Sequence, residues 1–243
     1  GADIDGEAAN DYSGHSVSLS SDGTIVAIGA IMNDGTADKA GHVRVYQYSS
    51  DSWTQLGTDI DGEAGGDQSG LAVSLSSDGT IVAIGAKYSG GYNGRGHVRV
   101  YQYSSDSWTQ LGADIDGEAD GDQSGYSVSL SSDGTIVAIG ANYNDGNGDK
   151  SGHVRVYQYS SGSWTQIGED IDGEAGSDQS GYSVSLSSDG TILAIGAKYN
   201  DGSLNGEVRV YNLIIPPPAP VATCFPAGTP VTTDQGNIPI EKL

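Results

Sequence analysis

Cysteine, methionine and phenylalanine occur once each in this chain of 243 residues, and lysine and arginine together only ten times. The single thiol, Cys224, excludes an internal disulfide. No apolar run comes near the roughly 20 residues that a membrane-spanning helix needs, so insertion into a bilayer is not expected. The ten basic residues face 32 aspartates and glutamates, and the formal net charge is −22. Such a surface repels nucleic-acid phosphates and anionic lipid, which argues against both as partners. It suits a protein kept soluble in salty water. The chain opens at Gly1, without a methionine or a leader-like segment and in mid-repeat. The expectation is a piece of a longer protein.

Glycine, by contrast, is abundant at 38 residues, and it falls in a pattern. The phrase Gly-x-Asp-Ile-Asp-Gly-Glu-Ala begins at Gly1, Gly57, Gly112 and Gly168, at spacings of 56, 55 and 56 residues. A period of this size filled with short strand-like runs marks a propeller or a solenoid. In the first unit Ser16 to Ser20 alternates polar and apolar, as a half-buried strand does. Ser21-Asp22-Gly23-Thr24 is a hairpin signal. Thr24 to Ala30 is a continuous apolar run suited to a strand covered on both faces. A variable polar loop, Met32 to Ala40 here, leads to a third strand over His42 to Tyr48 and a fourth over Trp53 to Ile60. Four antiparallel strands per period make one propeller blade. The fold expected is therefore all-β, a β-propeller of four repeated four-stranded blades or part of a larger ring. A β-solenoid, with its shorter rungs, is the alternative.

Ser124 to Ala141, Ser-Gly-Tyr-Ser-Val-Ser-Leu-Ser-Ser-Asp-Gly-Thr-Ile-Val-Ala-Ile-Gly-Ala, resembles the FG-GAP repeat of integrin α-chain propellers and bacterial surface proteins. The resemblance recurs four times over about residues 1–212 and divides the chain into repeats 1–56, 57–111, 112–167 and 168–215. The Phe-Gly position reads Gly14-His15, Gly70-Leu71, Gly125-Tyr126 and Gly181-Tyr182. The long acidic calcium loop of many relatives is reduced here to Ser-Asp-Gly-Thr, which implies no strong repeated calcium sites. Trp53, Trp108 and Trp164 mark the fourth strand of three repeats, and the last repeat has none. Gly1 to Asp5 is the tail of such a strand, too short to complete a fourth blade. Relatives with rings of about seven blades favour truncation of a larger ring, and the unpaired edge would be a site for association.

Three sets of residues are candidate sites. The acidic turns carry Asp3, Asp5, Glu7 and Asp11, repeated as Asp59, Asp61, Glu63, Asp67; Asp114, Asp116, Glu118, Asp122; and Asp170, Asp172, Glu174, Asp178. Calcium needs six to eight oxygens, and Ile4 between the aspartates works against convergence, so solvated, Asx-capped turns are the favoured reading over a calcium loop. His42, His97 and His153 stand two residues before Arg44, Arg99 and Arg155, and Glu207 replaces histidine before Arg209. One histidine per blade lies far from the next, so no metal is expected. Each arginine is expected between blades, paired with a carboxylate of an acidic turn. Of the 14 tyrosines, the strand copies suit packing, and the loop copies Tyr88, Tyr92, Tyr143 and Tyr199 are the weak candidates for binding a sugar or a protein. No unique polar cluster suggests a hydrolase, and no cofactor is expected.

After a Pro-rich linker at residues 216–222, residues 223–243 differ in texture. Cys224, Gly228-Thr229-Pro230-Val231, the turn at Gly236 and Ile240-Glu241-Lys242-Leu243 resemble the first motif of Hint domains, the hedgehog/intein autoprocessing fold. The resemblance implies that Cys224 is the nucleophile of the complete domain, attacking the Thr223 carbonyl to form a thioester. The later Thr-x-x-His motif is not in the chain, so the chain itself is not expected to be an enzyme, and cleavage at Thr223-Cys224 belongs to the complete parent. The resulting expectation is an extracellular or cell-surface binding or adhesion propeller upstream of a self-processing domain, with a surface glycan or protein as ligand. The alternative is a structural repeat scaffold that self-associates through open blade edges.

Overall fold

A computed structural model describes residues 1–89, 94–200 and 203–216, with the backbone of residues 230–233 and 236–239. Among the described residues there is no helix, hence none long and apolar enough to cross a membrane. The first repeat forms one antiparallel sheet of β1 (Ser13–Leu19), β2 (Ile25–Ala30), β3 (His42–Ser49) and β4 (Ser52–Gln55), with β5 (Ile60–Asp61) also paired to β3. The second repeats this order with β6 (Ala72–Leu75), β7 (Ile81–Ala86), β8 (His97–Ser104), β9 (Ser107–Gln110) and β10 (Ile115–Asp116). The third has β11 (Ser127–Leu130), β12 (Ile136–Ala141), β13 (His153–Ser160), β14 (Ser163–Gln166) and β15 (Ile171–Asp172). The fourth is a three-stranded sheet of β16 (Ser180–Leu186), β17 (Ile192–Ala197) and β18 (Glu207–Asn212). In the tail β19 (Pro230–Thr233) pairs with β20 (Gly236–Pro239).

The fourth strand expected over Trp53 to Ile60 is broken in two. Leu56 still donates to the Val45 carbonyl, but pairing resumes only at Val43↔Ile60. Gly57, in the left-handed region at φ 70°, turns the intervening residues out of register. This break places Asp59 outside the ladder, where it becomes part of the cluster described below.

The core lies between sheets. Ile25, Ala27, Val43, Val45 and Ile60 of the first sheet pack on Leu75, Val82 and Ile84 of the second, and the same arrangement recurs between the second and third and between the third and fourth. The second strand is therefore buried along its length in the first and third sheets, as its continuous apolar sequence predicts. The outer faces of the series stay open. Leu19 is 59% exposed where its counterparts Leu75 and Leu130 are 7% exposed, and Val208 and Val210 are 71% and 65% exposed where Val98 and Val100 are buried.

Backbone contact fixes the spacing of the sheets. β1 lies beside β6, β6 beside β11 and β11 beside β16. Gly29, Gly85 and Gly140 in the second strands each face a glycine at the start of the next sheet: Gly70 and Gly125, just before β6 and β11, and Gly181, the second residue of β16. Those three partners hold φ between 81° and 88°, which an L side chain rarely adopts. At this separation Leu75, Leu130 and Leu186 amides donate to the hydroxyls of Ser18, Ser74 and Ser129 at 2.9–3.0 Å. The amides of Ser21, Ser77 and Ser132 reach the carbonyls of Ser77, Ser132 and Ser188 at 2.8 Å. At the outer rim Trp108 and Trp164 donate from Nε1 to the carbonyls of Leu56 and Leu111, both at 2.8 Å. The N-terminal segment follows the same rule: Gly1 lies against Trp53 as Gly57 lies against Trp108.

The Ser-Asp-Gly-Thr turn is closed by its own aspartate. Asp189 accepts from the Ser187 hydroxyl at 2.6 Å and from the Thr191 amide and hydroxyl at 3.0 and 2.8 Å. Asp22 has the same partners in Ser20 and Thr24. These donors hold the Asp189 carboxyl down at about 2, the Ser187 hydroxyl contributing most.

Two outcomes follow. Alanine at Gly85 would overlap the Gly125 carbonyl, whereas at Gly196 it meets only the movable Ser183 hydroxyl. Gly85→Ala is expected to destabilise by about 1–3 kcal/mol or more and Gly196→Ala by less than about 0.5 kcal/mol, measured by denaturant unfolding; equal effects would contradict the close-approach account. The folded value of Asp189 lies below the unfolded value near 3.9, so its contribution is complete above about pH 4 and is lost as pH falls toward 2. Ser187→Ala should raise the Asp189 pKa in a carboxyl NMR titration, and the variant should lose less stability than the parent over that range.

Candidate functional site

The acidic turns do not gather their oxygens around one point. Each member has its own task. Asp11, Asp67, Asp122 and Asp178 are buried and accept the amides of Ala8, Ala64, Ala119 and Ala175, an Asx cap in every repeat. Asp11 and Asp122 also hold the amides of Asn33 and Asn144 at 2.9 Å. Asp59, Asp114 and Asp170 take the side-chain amides of Gln55, Gln110 and Gln166 at 2.6–2.7 Å.

The arginines stand where the sequence places them, joining the third strand of each sheet to the acidic turn that opens the same repeat. Arg44, Arg99, Arg155 and Arg209 donate to the backbone carbonyls of Asp5, Asp61, Asp116 and Asp172 at 2.6–2.8 Å. Each also faces the glutamate of the same turn, Glu7, Glu63, Glu118 or Glu174, at 3.6–3.8 Å. The guanidiniums lie 5.5–5.8 Å from the ring centres of Tyr46, Tyr101, Tyr157 and Tyr211, a cation–π contact that covers the charge on its remaining side.

Beside these arginines the histidines meet carboxylates of adjoining segments. His42 Nδ1 lies 3.6 Å from Asp59 and 3.8 Å from Glu7; His153 Nδ1 lies 3.7 Å from Asp170 and 3.8 Å from Glu118. All three imidazoles are buried. Burial first, and then Arg99 or Arg155, holds His97 and His153 below the usual imidazole value, which keeps them neutral at pH 7. Sequence reasoning compared each histidine with the next one and so missed its carboxylate neighbours. The break in the fourth strand at Gly57, which brings Asp59 to the imidazole, is visible only in the structure.

The loop ends form concave sites. One, of about 330 Å³, is lined by Tyr88 from the β7–β8 loop, Asp122 and Gln123 before β11, and Tyr143, Asp149 and Lys150 from the β12–β13 loop. Tyr88 and Tyr143, two of the tyrosines singled out in the sequence, thus share a groove between the second and third repeats. The Lys150 ammonium lies 5.5 Å from the Tyr143 ring centre. Gln123 and Lys150 hold left-handed backbone at φ 60° and 51°, as their counterparts Gln68, Gln179 and Lys39 do in other repeats. A second concavity in the first repeat, also 330 Å³, has Met32 in the place of Tyr143, with Tyr12, Asp38 and Lys39. Tyr199 lies apart, beside Lys198. Tyr92 and Cys224 lie outside the described residues.

A family model described as the FG-GAP repeat matches residues 113–157, most of the third repeat. No curated protein matches the chain. Among solved structures, Sqt1 from Chaetomium thermophilum is 18% identical, with a TM-score of 0.54, over 84% of this chain and 45% of its own. Hydrazine synthase of Kuenenia stuttgartiensis is 14% identical, with a TM-score of 0.52, over 87% of this chain and 48% of its own. U3-55K is 14% identical, with a TM-score of 0.51, over 82% and 48%. The chain spans about half the length of these structures, and identities this low speak to fold alone. The chain is therefore an all-β series of antiparallel sheets resembling propeller blades, three of five strands and the last of three, and its third repeat matches the FG-GAP repeat.

Proposed function

We propose that this chain is a binding module rather than an enzyme, part of an extracellular or cell-surface protein whose blades present their loop ends to a glycan or protein ligand. The observation that carries this reading is the groove shared by Tyr88 and Tyr143. Two aromatic faces, acidic acceptors and one lysine donor supply stacking surface and hydrogen-bonding groups together. The sheets below it are nearly identical, while the loops that line it differ, with tyrosine, methionine and glutamine exchanged on one frame. In this reading the Hint-like start at Thr223-Cys224 gives the complete parent a self-processing step with Cys224 as nucleophile, and no cofactor takes part. The test is a glycan array together with a pull-down of cell-surface proteins. The double variant Tyr88→Ala/Tyr143→Ala should bind roughly tenfold more weakly or worse. Absence of binding in both formats, alongside turnover of a substrate, would overturn the proposal.

The open sheet faces favour a second reading, a scaffold that self-associates. Ile192, Val208 and Val210 at one end and Val17 and Leu19 at the other are exposed, and equivalent pairs of faces cover one another three times within the chain. The contact is head-to-tail, so copies would add in series or close a ring. Light scattering at rising concentration should show a mass above the monomer that Val208→Lys/Val210→Lys returns to monomer. A strict monomer at high concentration removes this reading.

A further inference from the structure

We propose that Glu7, His42 and Asp59, and again Glu118, His153 and Asp170, form two divalent transition-metal sites of the zinc class that tie the acidic turn opening a repeat to the third strand and the broken fourth strand of its sheet. In each cluster the His Nδ1 and one oxygen of each carboxylate lie within 4.8 Å of one another. His42 is the first residue of β3, Asp59 stands in the break between β4 and β5, and Glu7 comes from the turn after the N-terminal segment. The third repeat builds the same set from β13, the β14–β15 break and the turn after β10.

His42 is 1% exposed, and its Nδ1 has no hydrogen-bond partner. It points at the two carboxylates across 3.6 and 3.8 Å, too far for a hydrogen bond. Around a tetrahedral zinc with bonds near 2.0–2.1 Å, neighbouring ligand atoms stand roughly 3.4 Å apart. The two gaps from the imidazole are therefore slightly wider than those between ligands around an ion. The buried imidazole fixes one corner. The two partly exposed carboxylates can close on it, which leaves the fourth position to water.

The other oxygen of each carboxylate is already engaged. Gln55 Nε2 donates to Asp59 Oδ1 at 2.6 Å and Gln166 Nε2 to Asp170 Oδ1 at 2.7 Å. Arg44 faces Glu7 Oε1 and Arg155 faces Glu118 Oε1. Each carboxylate is thus oriented by a neighbour and turns its second oxygen to the histidine, the outer-shell arrangement that ligating side chains use. Calcium is disfavoured, because an imidazole and two carboxylates fall short of its six to eight oxygens. The second repeat has Glu63, His97 and Asp114 at the same positions, but there Nε2 of His97 is the unpartnered atom, so a third site would need that ring to turn over.

The test is titration of the EDTA-treated 243-residue chain with zinc chloride by calorimetry at neutral pH, with calcium chloride as comparison. The expected result is two zinc ions per chain, or three if the His97 ring turns, a rise in unfolding temperature, and no comparable response to calcium. His42→Gln/His153→Gln should remove the two sites. Glu7→Gln/Glu118→Gln alters partly exposed side chains and spares the buried imidazoles; with an unchanged circular dichroism spectrum it should weaken zinc about tenfold or more. His15→Gln should change nothing. One ion or none per chain, equal binding by the glutamate variant, or equal response to calcium would overturn the proposal.

Discussion

The structure depends on how closely one sheet's backbone approaches the next. Gly29 meets Gly70, Gly85 meets Gly125 and Gly140 meets Gly181, and no side chain fits between them. Because the sheets touch there, the leucine amides of the inner strands reach serine hydroxyls on the preceding sheet, and tryptophans at the rim reach the carbonyls of the preceding outer strand. A wider gap would leave those donors unpaired inside the protein, at about 1–3 kcal/mol each. The apolar faces between the sheets add the larger, less directional stabilisation. The glycine contacts decide the geometry in which it is collected.

The charges follow from that geometry. Once two sheets are this close, the third strand of one runs beside the acidic turn of the last, and its arginine is partly buried. The carbonyl of the turn aspartate, the adjacent glutamate and a tyrosine face together satisfy it. A protein with 32 acidic and 10 basic residues thus commits four of its cations to the contacts between acidic turns and third strands. The surplus acid faces water, where repulsion between carboxylates is screened.

Much of this was legible in the sequence. The near-identity of repeats at 55–56 residues gave the sheets, the unbroken Thr24–Ala30 run gave a strand buried on both faces, and the recurring arginine gave the joint between blades. The break of the fourth strand was not legible, because Trp53 to Ile60 reads as one β-rich run; the left-handed turn recurs at Gly57, Gly112 and Gly168. The histidine clusters were hidden for the same reason. Glu7, His42 and Asp59 are far apart in sequence, and only the break turns Asp59 toward the imidazole. The shared groove of Tyr88 and Tyr143 was half legible: loop position was clear, but adjacency across two repeats depends on how the blades are stacked.

The serine-to-serine bonds that cross from Ser21 to Ser77, Ser132 and Ser188 all run in one direction and join equivalent positions. A segment one period long could therefore be removed or inserted anywhere in the series, and every such bond would re-form with the next available serine. Chains that differ by whole periods would keep the same joints, so the reach of such a protein can change in steps of one period.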